Sequence, residues 1–181
     1  MIVRYSLFLV SAFFITLLTS VSINAQTQGQ WLTYTDPEGG FTLEFPSFIK
    51  IVPKQNRFDI NDLTFSNDNS SIRGYLEYGL SSNDTSPESL RKLVNAVNEA
   101  LGNFLKEHRI IESNDTQING NFAISQIVHD TDYEGNEYGI WEISSNVNNK
   151  AFKFAYISTP IEFDKGLPTV KKMLDSIKFL K

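Results

Sequence analysis

Apolar residues along this chain fall into three kinds of run. The first, Leu7 to Leu18 (LFLVSAFFITLL), is apolar almost throughout and has no period. The second kind alternates. Phe41, Leu43 and Phe45 are separated by Thr42 and Glu44, and Ile72, Gly74, Leu76 and Tyr78 oppose Arg73, Tyr75 and Glu77. A period of two sends successive side chains to opposite faces of a strand. The third kind recurs at three- and four-residue spacing: Leu90, Leu93, Val94, Val97, Leu101, Phe104 and Leu105. That is one stripe of an amphipathic helix. Ser86 is a capping residue just ahead of it, Pro87 suits the first helical position, and Glu88 favours the positive end of the helix dipole.

The same patterns predict strands at 31–35, 41–45, 62–66, 72–80, 109–113, 121–131, 137–146, 150–158 and 176–180, with 47–53 as a connection. Asn119-Gly120, Glu134-Gly135-Asn136 and the run Asn146 to Asn149 are turns suited to consecutive antiparallel strands. Leu167, Val170, Met173 and Leu174 place a second amphipathic helix at 161–175. Strands grouped with two segregated helices predict an α+β fold, an antiparallel sheet flanked by helices in an α/β/α sandwich, rather than a doubly wound sheet. Phe41, Phe45, Leu93, Val97, Phe152 and Phe154 are expected in the core where helix and sheet meet.

The unpatterned first run is not part of that fold. Arg4 supplies a short positive start, and Ser22-Ile23-Asn24-Ala25 ends in a small residue suited to cleavage before Gln26. An apolar stretch of about 7–15 residues fits an export signal, whereas a spanning helix needs roughly 20. An uncleaved anchor running from Tyr5 to Ile23 is the alternative. Either way the remainder is expected outside the cytoplasm, secreted or at the cell surface. The organisation is then 1–25 signal peptide or anchor, 26–30 flexible leader, and 31–181 a single domain. Removal of the signal leaves 156 residues, and about 150 residues suffice for one self-sustaining core.

Composition narrows the function classes. The 181 residues include 16 Lys plus Arg against 21 Asp plus Glu, a net charge of −5, and no cysteine. Disulfides, thiolate metal sites and cysteine nucleophiles are excluded, and the charge gives no electrostatic reason to bind nucleic acid. No G-x-x-x-x-G-K-[ST], G-x-G-x-x-G or G-x-S-x-G occurs, which removes the common nucleotide cradles and the nucleophile elbow of hydrolases.

Two local features carry candidate chemistry. His108 and His129 are the only histidines, 21 residues apart and without an H-x-x-x-H spacing. Both read as surface or helix-capping residues rather than metal ligands. The run Asp130-Thr131-Asp132-Tyr133-Glu134-Gly135-Asn136-Glu137 offers oxygens at alternate positions and glycine at the sixth, like the start of an EF-hand loop. Its twelfth position is Trp141, however, and Glu142 comes one residue late. A solvated acidic hairpin end is favoured over a calcium site. Asp130, Asp132, Glu134 and Glu137 are the candidate metal ligands and also the candidate contacts for a basic partner. Neutralising all four is expected to slow association with that partner and leave stability nearly unchanged.

Three stretches together resemble the PsbP-like family, the extrinsic photosystem II proteins and their prokaryotic secreted relatives. They are Tyr34-Thr35-Asp36-Pro37-Glu38-Gly39-Gly40-Phe41-Thr42-Leu43-Glu44-Phe45-Pro46, Ile118-Asn119-Gly120-Asn121-Phe122-Ala123, and Phe163-Asp164-Lys165 through Met173-Leu174-Asp175-Ser176-Ile177-Lys178-Phe179. The resemblance implies a central antiparallel sheet with helices on its sides, a fold shared with a Ran-binding nuclear import factor. Phe48-Ile49 stands where the family usually has a tryptophan. No motif aligns the family's histidine metal contacts to His108 or His129, and no catalytic residues transfer. The implied function is a non-enzymatic exported domain that binds or stabilises a membrane-bound or envelope assembly, with no cofactor. A small-ligand or calcium-binding module is the alternative, and a hydrolase the second alternative.

Overall fold

The computed structural model describes residues 29–36, 40–55, 61–80 and 84–180. The apolar run at 7–18 and its cleavage point lie outside them. The elements run β1 (Trp31–Asp36), β2 (Phe41–Pro46), β3 (Lys50–Gln55), β4 (Asn61–Ser66), β5 (Arg73–Leu80), α1 (Pro87–Phe104), β6 (Glu107–Ile118), β7 (Asn121–Thr131), β8 (Glu137–Val147), β9 (Lys150–Ser158), α2 (Pro160–Asp175) and β10 (Lys178–Phe179). Among the described residues no helix is long and apolar enough to cross a membrane.

Seven strands form one sheet in the order β3-β4-β5-β9-β8-β7-β6, with antiparallel pairing throughout. Tight hairpins enforce that order on one side. Asn119 and Gly120 between β6 and β7 both take positive φ, 49° and 79°, as do Asn148 and Asn149 between β8 and β9, at 50° and 60°. Turns of that hand match the twist of the strands they join. A smaller sheet, β1-β2-β10, lies against the same face of the large sheet as α2.

The main core sits on that face. Phe65 stacks on Phe154 at 5.3 Å, Tyr156 on Phe163 at 5.4 Å, and Phe152 meets Phe179 edge-on at 5.3 Å. Gly74 leaves no room for a side chain between its neighbouring strands, since a Cβ there would run into the Ala155 carbonyl of β9 and the Phe65 ring of β4. α1 packs on the opposite face, where Leu90 and Val94 meet Ile124 and Phe122. This is the α+β sandwich that the sequence patterns predict, with helices on both faces of an antiparallel sheet.

Three elements differ from the sequence expectation. The supposed connection at 47–53 overlaps β3, which runs on to Gln55; it is an edge strand, where a proline such as Pro53 is tolerated. β6 runs from Glu107 to Ile118, well beyond 109–113, because the other edge strand is mostly exposed and carries no apolar alternation. The closing strand shrinks to Lys178–Phe179. Of the expected core, Phe41, Phe152 and Phe154 are buried and Phe45 packs against them in part. Leu93 and Val97 are not in it, which leads to the site.

Candidate functional site

α1 does not sit centrally over its face of the sheet. Its contacts run to β6, β7 and β8. Arg91 reaches Asp115 on β6 at 2.6 Å, and Asn98 Nδ2 donates to Gln126 Oε1 on β7 at 3.2 Å. The Gln126 amide donates onward to Ser113 Oγ at 3.2 Å. These bonds tie the helix to one side of the sheet. Ser86 fixes its start, its Oγ accepting the Ser89 N–H. The apolar stripe is wider than the surface so covered, so its other flank projects over open sheet. Leu93 is 50% exposed and Val97 37%. The expectation that both are core residues is therefore corrected: the stripe's period is real, but only Leu90 and Val94 of these four positions reach the sheet.

Under that flank lies a cleft of about 280 Å³. Leu90, Leu93, Val94 and Val97 form its wall, and Glu77, Glu142, Ser144 and Lys153 lie in its floor. Register explains the grouping. Glu77 on β5 stands opposite Lys153 on β9, which stands opposite Ser144 on β8, two residues from Glu142. Lys153 Nζ lies 2.8 Å from Glu142 Oε2, the two side chains 20% and 8% exposed. Burial works against the Lys153 charge, but Glu142, Tyr75 and Glu77 outweigh it and hold its pKa above the usual lysine value. Burial pushes the Tyr75 hydroxyl pKa up, although the charge of the Lys153 ammonium pulls the other way. Lys153 thus stays protonated at neutral pH and serves as a hydrogen-bond donor rather than a base.

The acidic hairpin is built differently from the sequence expectation. Asp130 is buried, and His108 Nδ1 lies 2.7 Å from its Oδ1. Burial raises the Asp130 pKa, with the His108 contact pulling it back down. His108 is not a surface or capping residue; it belongs to β6, is enclosed with Asp130, and its Nε2 is buried without a hydrogen-bond partner. Register causes this, because His108 pairs directly with Asp130 across β6 and β7. His129 on β7 is half-buried, its Nδ1 3.4 Å from the Arg109 guanidinium.

Asp132 ties the turn. Its carboxylate accepts the backbone N–H groups of Glu134 and Asn136, both at 2.9 Å, with further bonds from the Asn136 amide and the Tyr138 hydroxyl. Those bonds hold its pKa below the usual carboxylate value. Gly135, with φ of 89°, closes the loop. Of the four carboxylates only Glu134 and Glu137 are exposed, Glu134 accepting a long bond from the Asn136 amide at 3.5 Å. The four do not converge, and no group of three or more metal-ligating side chains gathers among the described residues.

Sequence reasoning missed Glu142 and Lys153. The available signal was a single charge inside a strongly apolar strand, as in Ala151-Phe152-Lys153-Phe154-Ala155 and Ile140-Trp141-Glu142-Ile143. Such a charge is costly to bury unless paired.

No protein-family model matches the chain, and no curated protein matches its sequence. Solved structures do. Cyanobacterial PsbP (CyanoP) from Synechocystis sp. PCC 6803 superposes with a TM-score of 0.65 at 11% identity, over 83% of this chain and 93% of that one. LpqN of Mycobacterium tuberculosis, involved in cell envelope biogenesis, gives 0.56 at 12% identity, over 84% and 91%. A Pseudomonas aeruginosa protein of unknown function gives 0.53 at 15% identity, over 82% and 96%. The fold is PsbP-like.

Proposed function

We propose that this chain, with its PsbP-like fold, is an exported binding module without catalysis of its own, and that it holds its ligand in the cleft beside α1. One observation carries the reading. Leu93 and Val97 stand half-exposed beside the Lys153–Glu142 pair, so an apolar wall and a polar floor face the same space. Mostly apolar concavities with a few convergent polar groups are the usual form of a ligand site.

The apolar run at 7–18 supports export. The role of LpqN in the cell envelope supports a place outside the cytoplasm. A non-catalytic role is supported by the state of the titratable groups. Lys153 is held protonated, and the enclosed His108 and Asp130 do not line the cleft. A membrane-bound or envelope assembly is then the partner that supplies or receives the ligand, and Glu134 and Glu137 are the hairpin charges left to meet it.

Native mass spectrometry of the protein recovered from its host envelope tests this. The expected spectrum shows a retained small molecule that the Leu93→Asp, Val97→Asp double variant loses without a change in melting temperature. A ligand-free spectrum, or turnover of an ester or glycoside by the purified protein, would contradict the reading.

A further inference from the structure

The floor of the cleft also discriminates among head groups. Among the described residues Lys153 is the only cationic side chain lining it, and that ammonium is already engaged by Glu142 at 2.8 Å, with Glu77 directly across the strand pair. An anion brought to Lys153 meets two carboxylates as well. A cation brought to Glu142 competes with an ammonium at contact distance. Either ion also surrenders hydration beneath the apolar wall of Leu93 and Val97. A hydroxyl or amide surrenders far less on leaving water than an ion does, and Ser144 on the floor offers it a hydrogen-bonding partner.

The wall, continued along α1 beyond the cleft by Phe104, indicates what the rest of the ligand is. Leu93, Val97 and Phe104 lie four and seven residues apart on α1 and are 50%, 37% and 75% exposed. That spacing sets them on one flank. At 1.5 Å per residue the flank is roughly 16 Å long, enough to cover an extended alkyl chain of about a dozen carbons.

Resting on the cleft as the binding element, we infer that the ligand is an uncharged single-chain amphiphile: an alkyl or acyl chain along Leu93, Val97 and Phe104, with a hydroxyl or amide head over Lys153 and Glu142. Anionic lipids, fatty acids and long-chain amines are rejected by the paired floor.

Calorimetric titration of the exported protein, delipidated, with three probes of equal chain length tests the inference. The probes are 1-O-dodecylglycerol, dodecanoate and dodecyltrimethylammonium, each below its micelle concentration. The glycerol ether is expected to bind at least tenfold more tightly than either ion. Leu93→Asp with Val97→Asp should remove binding of all three. Glu142→Leu with Lys153→Met exchanges the pair for apolar side chains of similar size, a kind of replacement that is often neutral or stabilising for a buried pair, and should erase the head preference while keeping chain binding.

Equal or tighter binding of an ion overturns the inference, as does glycerol-ether binding that survives Leu93→Asp with Val97→Asp. If all probes fail while a ligand from the host envelope stays in the cleft, the inference falls and the binding module stands. If the cleft holds neither host ligand nor probe, both fall. Dimerisation through the α1 flank, seen by sedimentation and lost in Leu93→Asp with Val97→Asp, would assign the wall to a second copy and overturn the inference.

Discussion

His108 and Asp130 face each other across β6 and β7, Nδ1 to Oδ1 at 2.7 Å, with 5% and 7% of their side chains exposed. Asp130 is thereby a buried carboxyl group whose charged form is opposed by burial and supported chiefly by the His108 contact, with a smaller contribution from His129. Replacing His108 by Phe leaves the buried Asp130 side chain without that partner, a loss of about 1–3 kcal/mol at pH 7.

The pH dependence follows from the direction of the shift. Burial raises the Asp130 pKa above its unfolded value, so the folded protein binds this proton more tightly than the unfolded chain does. The stability that this proton confers is complete below about pH 4 and is lost as pH rises through the raised value. The His108→Phe penalty should therefore be smaller at pH 4 than at pH 7. Urea midpoints at the two pH values measure it, and an equal penalty at both would show that Asp130 does not titrate in this way.

Phe154 is fully buried, stacked on Phe65 and met edge-on by Trp141. Phe154→Ala should cost about 3–5 kcal/mol in denaturant unfolding. A loss below about 1 kcal/mol, well under that range, would show that the sheet face closes over the void.

Gly74 tests a tighter constraint. The added methyl of Gly74→Ala would meet the Ala155 carbonyl and the Phe65 ring, and backbone cannot give way as a side-chain tip can. Overpacking of this kind costs typically 1–3 kcal/mol. Gly102, with nothing near its would-be Cβ, is the control. Gly102→Ala on exposed helix should be neutral or stabilising, and thermal melts of the two variants should move in opposite directions or differ by several degrees.

The hairpin carboxylates should separate by role. Asp132→Ala removes the acceptor for two backbone N–H groups of the turn and should lower the melting temperature. Glu134→Gln with Glu137→Gln should leave it in place. Bonding that lowers the Asp132 pKa confers stability above the unfolded value and loses it as acid approaches the folded one, so the Asp132→Ala deficit should shrink at low pH. Equal melting of all these variants at every pH would make the turn bonds irrelevant to stability. Benign neutralisation of all four, the sequence expectation, is not the result this geometry supports, because Asp130 and Asp132 are structural.

Legibility in the sequence follows how far local pattern is coupled to burial. β7 and β9, both well buried, have the limits that the pattern predicts. The edge strands β3 and β6 do not, because an edge that faces water imposes no alternation on its residues. The helix stripe revealed α1 but not which flank meets the sheet, since that depends on the lateral bonds of Arg91 and Asn98 to strands 24 and 28 residues away. The floor of the cleft was invisible for a similar reason. Each charge stands alone within its own strand, and only the register of β8 with β9 sets Glu142 and Lys153 together beneath a helix.

Amide chemical-shift mapping of the exported protein with 1-O-dodecylglycerol tests the cleft most directly. The binding-module account requires saturable shifts confined to α1 and to the facing segments of β5, β8 and β9, around Glu77, Glu142 and Lys153, and their disappearance in Leu93→Asp with Val97→Asp. Shifts centred instead on the Asp132–Glu137 turn or on the α2 face, with α1 unmoved, would contradict it.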